Sequence, residues 1–191
     1  MGENGPMVPR ILLAVLAFAL ASIPARAEVA DSSAGGFTVR IALTIQASPD
    51  VVYRRLMQNV GEWWNSTHTF SGSSHNLSIE EKAPGCFCEK LPDGGGVRHM
   101  EIVHLVPGKA VVMSGALGPM QSLGAAGSLR IQLSATGDAT KFEATYAVGG
   151  YTAAGMNTWA APVDGMLKEQ FTRLKNYIEH GDPASPSAPA K

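Results

Sequence analysis

Among the ionisable side chains of this 191-residue sequence, His104 has the setting best suited to chemistry. It lies in a run of alternating polarity that ends at a Pro107-Gly108 turn. Counting back from that turn pairs Val106 with Lys109, His104 with Val111, Ile102 with Met113 and Met100 with Gly115. The register predicts an inward face carrying Met100, Ile102, His104, Val111 and Met113, and an outward face carrying His99, Glu101, Val103, Ala110, Val112 and Ser114. An imidazole on an otherwise apolar inner face can give or take a proton near neutral pH, or orient the polar end of a bound molecule. Tyr146, on a later strand, offers a hydroxyl to the same interior. His104 and Tyr146 are therefore the candidate acid-base pair, and the alternative is a core histidine satisfied by the tyrosine hydroxyl.

Little else in the chain suggests catalysis. It has no serine in a nucleophile elbow, no His-Glu-x-x-His and no closely spaced carboxylate pair. No metal site or cofactor is expected, because His99 and His104 fall on opposite strand faces and His68 and His75 belong to a loop. Cys86 and Cys88 are the only cysteines. On one regular strand their Cα atoms stand about 6.5–7 Å apart, at or beyond the reach of a disulfide. Paired free thiols are the expectation, with a strained or intermolecular disulfide as the alternative.

The elements that must position these groups follow from periodicity. Phe37, Val39, Ile41, Leu43 and Ile45 alternate with polar residues, which predicts a strand with one buried face. Ser48-Pro49-Asp50 supplies helix-start chemistry, and Val52, Leu56 and Val60 continue at helical spacing; one further turn through Trp63-Trp64 makes a second short helix. Strands are predicted around 76–81 and 86–90, then up to Val106, after Lys109, over 129–133 and over 142–148, with Gly- and Pro-containing turns between them. From Trp159 to His180 one helix puts Val163, Met166, Leu167, Phe171, Leu174, Tyr177 and Ile178 on a single stripe. Such a helix covered by a curved antiparallel sheet of about six or seven strands is an α+β domain, and it is expected to leave a hollow between the two layers.

Trp63, Trp64, Met100, Ile102, His104, Met113, Tyr146 and Met166 are the predicted lining of that hollow. Adjacent tryptophans at a helix end cannot both enter one core, so one is expected inside and one at the rim. The methionines offer an adaptable apolar surface, with ordinary core filling as the competing role.

Arg10, the apolar run Ile11–Ile23 and Ala25-Arg26-Ala27 have the form of a secretory leader cut after Ala27. The run is about 13 residues, short of the roughly 20 that span a bilayer, so no stable membrane anchor is expected after cleavage. The rest divides into a flexible segment at 28–36, a folded domain at 37–180 and a disordered tail at 181–191. Fifteen basic and sixteen acidic residues overall leave no basic stripe, which argues against nucleic acid as a partner.

Over 37–178 the chain resembles the START-like superfamily, also described as Bet v 1-like, polyketide cyclase-like or Hsp90-ATPase-activator-like, in an exported form. The likeness rests on Ala47-Ser48-Pro49-Asp50, Trp63-Trp64, Gly85-Cys86-Phe87-Cys88-Glu89, Val106-Pro107-Gly108-Lys109, Gly115 to Gly118, Val148-Gly149-Gly150-Tyr151 and the final helix. It implies the helix-grip fold, with a cavity between sheet and helix that takes lipids, polyketides or aromatic molecules. The expectation is a periplasmic or secreted, non-catalytic binder of an apolar small molecule. A cyclase using His104 and Tyr146 is the first alternative, and a protein-interaction module of the chaperone-activator type is the second.

Overall fold

The computed structural model describes Met1 and residues 26–185. These residues form eight strands: β1 (Arg26–Ser33), β2 (Gly36–Ile45), β3 (Leu77–Ile79), β4 (Gly85–Lys90), β5 (Gly96–Val106), β6 (Ala110–Ser114), β7 (Ala126–Thr136) and β8 (Ala139–Gly149). The helices are α1 (Pro49–Gln58), α2 (Val60–Trp63) and α3 (Ala160–His180). The strands make one antiparallel sheet in the order β1-β2-β8-β7-β6-β5-β4-β3, curved around α3. The fold is the expected α+β helix grip, with eight strands where about six or seven were predicted.

Alternation builds the inner face. Phe37, Val39, Ile41, Leu43 and Ile45 of β2, with Leu129, Ile131 and Leu133 of β7 and Phe142, Ala144, Tyr146 and Val148 of β8, are all buried. Against them α3 presents Val163, Leu167, Phe171 and Leu174, and the Phe142 and Phe171 rings meet at 4.9 Å between centroids. Pro49 opens α1 as predicted, though Ser48 caps it through its backbone carbonyl, which accepts from Val52 N–H at 3.0 Å, and not through its hydroxyl. The helix α3 ends where Gly181 takes φ 75° and returns its N–H to the Tyr177 carbonyl.

The eighth strand comes from the segment expected to be flexible. Residues 28–33 pair with β2 from Glu28 opposite Arg40 to Ser33 opposite Gly36. The side chains of this strand show no apolar period because 28–33 are exposed; backbone pairing to an open edge holds it. Its turn is docked by Gly150 N–H on the Gly35 carbonyl and Met156 N–H on the Ala34 carbonyl. The hairpin also explains Gly36, where a Cβ would lie 2.5 Å from the Val148 carbonyl oxygen. The predicted leader lies almost entirely outside the described residues, which resume at Arg26. The tail is likewise described only to Ser185, whose carbonyl accepts from the Asn176 side-chain amide at 2.6 Å.

Strand β5 departs most from a regular pleat. Phe87 pairs with Met100 and Cys88 with Arg98, so His99 is an extra residue between them; Ile102 pairs with Met113 and His104 with Val112, so Val103 is another. Each bulge reverses which side chains face inward. His99 and Met100 are consequently both buried, while beyond Val103 it is Leu105 that turns toward the core and His104 that is exposed. The predicted pairing of Ile102 with Met113 is present. Those of His104 with Val111 and Val106 with Lys109 are not, because Val111 lies opposite Leu105 and Val106 opposite Ala110.

The first bulge also bears on the cysteines. Cys86 and Cys88 are joined by a disulfide, against the expectation of free thiols. Their Cα atoms are 5.3 Å apart, within disulfide reach and closer than on a regular strand, and they flank the point where the register with β5 slips.

Candidate functional site

The hollow expected between sheet and α3 is almost filled. A void of about 20 Å³ is found there, lined by apolar side chains that include Trp63, Phe87, Met113, Ile131, Leu167 and Phe171. That is room for about one water molecule and has no polar partner for it. The large rings consume the space: Trp63, Phe142, Phe171 and Tyr146 are among the largest fully buried side chains of the protein.

The open space lies at the N-terminal end of α3. A pocket of about 320 Å³ is bounded by Trp159, Pro162, Val163 and Met166 at the start of the helix, by Thr67–Phe70 after α2, and by Leu117–Met120 after β6. Trp64 and His99 complete its wall.

The two tryptophans show how the chain shapes this pocket. Trp63 ends α2 and Trp64 is already extended, at φ −68° and ψ 142°, so the backbone turns between them and both indoles are buried. This corrects the expectation that one would sit at the rim, which assumed a continuous helix. Trp63 Nε1 donates to the Arg55 carbonyl and Trp64 Nε1 to the His68 carbonyl, each at 3.1 Å, with 5.5 Å between ring centroids. Trp63 belongs to the core and Trp64 reaches the pocket.

Loop residues 65–70 are tied to α3 by polar contacts. Asn65 N–H donates to the buried Gln170 at 2.8 Å, Asn65 Nδ2 donates to Glu169, and His68 Nε2 meets Glu169 at 3.1 Å. Burial alone would raise the Glu169 carboxyl; the hydrogen bonds from Asn65 and His68, with Arg173 nearby, hold it below the usual range.

A second histidine–carboxylate pair is deeper. His99 Nε2 lies 2.9 Å from Glu89 Oε2, and the carboxylate also accepts the backbone N–H groups of Phe70, at 3.1 Å, and Ser71. The imidazole packs against Phe70 and Phe87, with centroids 5.9 and 5.1 Å away. Burial pulls the Glu89 carboxyl upward, but the Ser71, Phe70 and His99 donors outweigh it and hold the group below its ordinary value. Burial lowers His99, and Glu89 opposes this only in part. These shifts favour the carboxylate form of Glu89 and the neutral form of His99.

Of the predicted site residues, Trp64 and Met166 line the pocket. Trp63 and Met113 border the small inner void, and Met100, Ile102 and Tyr146 are packed in the core. His104 is exposed and meets none of them. The Tyr146 hydroxyl accepts from Leu117 N–H at 3.0 Å and donates to the Gly115 carbonyl at 3.3 Å, while burial pushes it up to about 12. The predicted acid-base pair is therefore not assembled: one member faces solvent and the other ties β8 to the segment after β6. Glu89, His99, Phe70 and Trp159 were missed. A signal for Glu89 exists, since counting by two from Phe87 puts it on the inward face, where a carboxylate demands donors. Nothing local signals that His99 is the bulged residue.

Among the described residues no three His, Cys, Asp or Glu side chains are grouped to hold a metal ion. No family model matches the chain, and no curated protein matches it. Among solved structures the chain is similar to the conserved protein of unknown function EF2215 from Enterococcus faecalis, at 16% identity over 90% of this chain and 84% of that one, with a TM-score of 0.57. It is also similar to CalU16 from Micromonospora echinospora, at 15% identity over 87% and 88%, with a TM-score of 0.56. The Aha1 dimer from Colwellia psychrerythraea matches at 19% identity over 75% of this chain and 97% of that chain, with a TM-score of 0.50. At such identities the likeness establishes the fold, a curved antiparallel sheet gripping a C-terminal helix.

Proposed function

We propose that this chain is an exported binding protein for a small aromatic molecule, held in the pocket at the N-terminal end of α3 and not between sheet and helix. The observation that carries this is the 320 Å³ pocket walled by Trp64, Phe70, His99 and Trp159. Its volume is at the lower end of the roughly 300–1,000 Å³ typical of ligand sites. That size suits one or two fused rings better than a lipid chain. Planar aromatic walls favour flat ligands through stacked and edge contacts. Export is supported by the leader-like stretch ending at Ala27, and a Cys86–Cys88 bond fits an oxidising compartment. Cleavage after Ala27 would leave residues 28–33 of β1 in place.

A carrier role without turnover is favoured over a cyclase, because His104 and Tyr146 do not meet and the pocket offers no activated nucleophile. The chaperone-activator alternative draws on the fold of Aha1 alone, and export would separate the protein from cytosolic chaperones.

The test is a calorimetric titration with 2-naphthol of the wild type and of Met166→Trp, which puts a larger ring into the pocket wall. Saturable binding that weakens at least tenfold in the variant supports the proposal, provided thermal unfolding of the variant stays near that of the wild type. Equal affinity of the two proteins would place the ligand elsewhere.

A further inference from the structure

We infer that His99 is the polar anchor of the pocket: its Nδ1 accepts a hydrogen bond from a phenolic or enolic hydroxyl of the bound molecule. This rests on the pocket being the ligand site, and it names the substituent that the ligand carries. The geometry supplies three reasons. A carboxylate that already takes the Phe70 and Ser71 N–H groups can only accept from a histidine, so the Nε2 atom facing Glu89 bears the proton. A neutral ring protonated at Nε2 has its lone pair on Nδ1. Nδ1 makes no hydrogen bond among the described residues and is not among their sealed-off, unpartnered buried atoms, while the ring as a whole borders the pocket.

His99 is thus a fixed acceptor. Phe70 and Phe87 pack against the ring and Glu89 holds its edge, so presenting the lone pair costs little reorganisation. His68, which pairs with Glu169, borders the same pocket but is a weaker anchor, because its side chain is 38% exposed and water competes for it, whereas His99 is only 6% exposed. A ligand that stacks on the aromatic walls and donates one hydroxyl to His99 satisfies both surfaces of the pocket.

The experiment compares 2-naphthol with 2-methoxynaphthalene, which has the same rings but no donor, by calorimetry on the intact protein. The wild type is expected to bind naphthol about fivefold to tenfold tighter, the factor that one neutral hydrogen bond supplies. His99→Phe, which keeps a ring beside Phe70 and Phe87, should bring the ratio of the two affinities to about one, whatever their absolute values. Nitrogen NMR of the wild-type histidine, which needs no variant, should show the tautomer protonated at Nε2 at neutral pH. Equal affinities for the two probes in the wild type, or an Nδ1-protonated ring, overturns the assignment of His99. Failure of both probes to bind overturns the pocket itself.

Discussion

Replacing Glu89 by alanine tests the buried pair most severely. The side chain is 0% exposed and accepts three donors: Phe70 N–H, Ser71 N–H and His99 Nε2–H. The two backbone donors belong to a surface loop where Phe70 is 54% exposed, so on truncation they can turn to water, each losing about 0.5–1.5 kcal/mol of net hydrogen bonding. The imidazole donor has no such route and is left without a partner, at about 1–3 kcal/mol. Relief of the carboxylate's own desolvation offsets part of this. The net expectation is about 2–4 kcal/mol of lost stability at pH 7.5, which for a domain of this size lowers Tm by about 5–15 °C.

Urea unfolding followed by circular dichroism measures this change, and its pH dependence supplies a second check. Glu89 is held below its ordinary range, so its contribution is complete above the unfolded carboxyl value of about 4.3 and is lost as pH falls through the folded value. His99 is depressed as well, so its share begins to be lost below about pH 6.5. The wild type should therefore lose stability steadily on acidification from about pH 6.5. In Glu89→Ala the part of that decline below about pH 4.3 should flatten. A variant within about 0.5 kcal/mol of the wild type, or an unchanged acid limb, would refute the reasoning.

Two further changes address other buried polar groups. Tyr146→Phe removes the acceptor of Leu117 N–H and the donor to Gly115, and should cost about 1–2 kcal/mol in denaturant unfolding; a neutral outcome would show that the hydroxyl does not tie the two segments together. Burial raises the Asp164 carboxyl, Glu28 adds to the rise and Lys168 opposes it. A raised folded value means that ionisation costs stability as pH rises through it, so Asp164→Asn should increase Tm at neutral pH by about 1–2 °C, with the gain disappearing toward pH 3.

The elements built from strict side-chain periods were legible in the sequence. β2, β7, β8 and α3 each bury one face of a clean repeat, and the start of α1 was marked by Pro49. β1 was not legible because it is held by backbone pairing, which leaves no apolar pattern. The inward residues of β5 were misplaced for a different reason. A bulge changes side-chain parity without any required residue type, so His99 entered the wall and His104 left it. The Cys86–Cys88 bond was misjudged because the expected spacing assumed a regular strand, whereas the Cα atoms are 5.3 Å apart. Filling of the central hollow was hidden in the sum of volumes: Trp63, Phe87, Phe142 and Phe171 are each compatible with a lined cavity, and only their convergence closes it. The pocket that remains is assembled from two loop segments, the start of α3 and a bulged residue of β5, whose relative placement no local pattern encodes.

A small aromatic molecule is expected to bind at the end of α3 and not beneath it. Backbone amide shift mapping by NMR during titration with 2-naphthol tests this directly. The expected outcome is saturable perturbation concentrated at 64–70, 117–120 and 159–166, with His99 among the responding residues. Perturbation centred instead on Leu129, Ile131 and Phe171, around the small inner void, would contradict it.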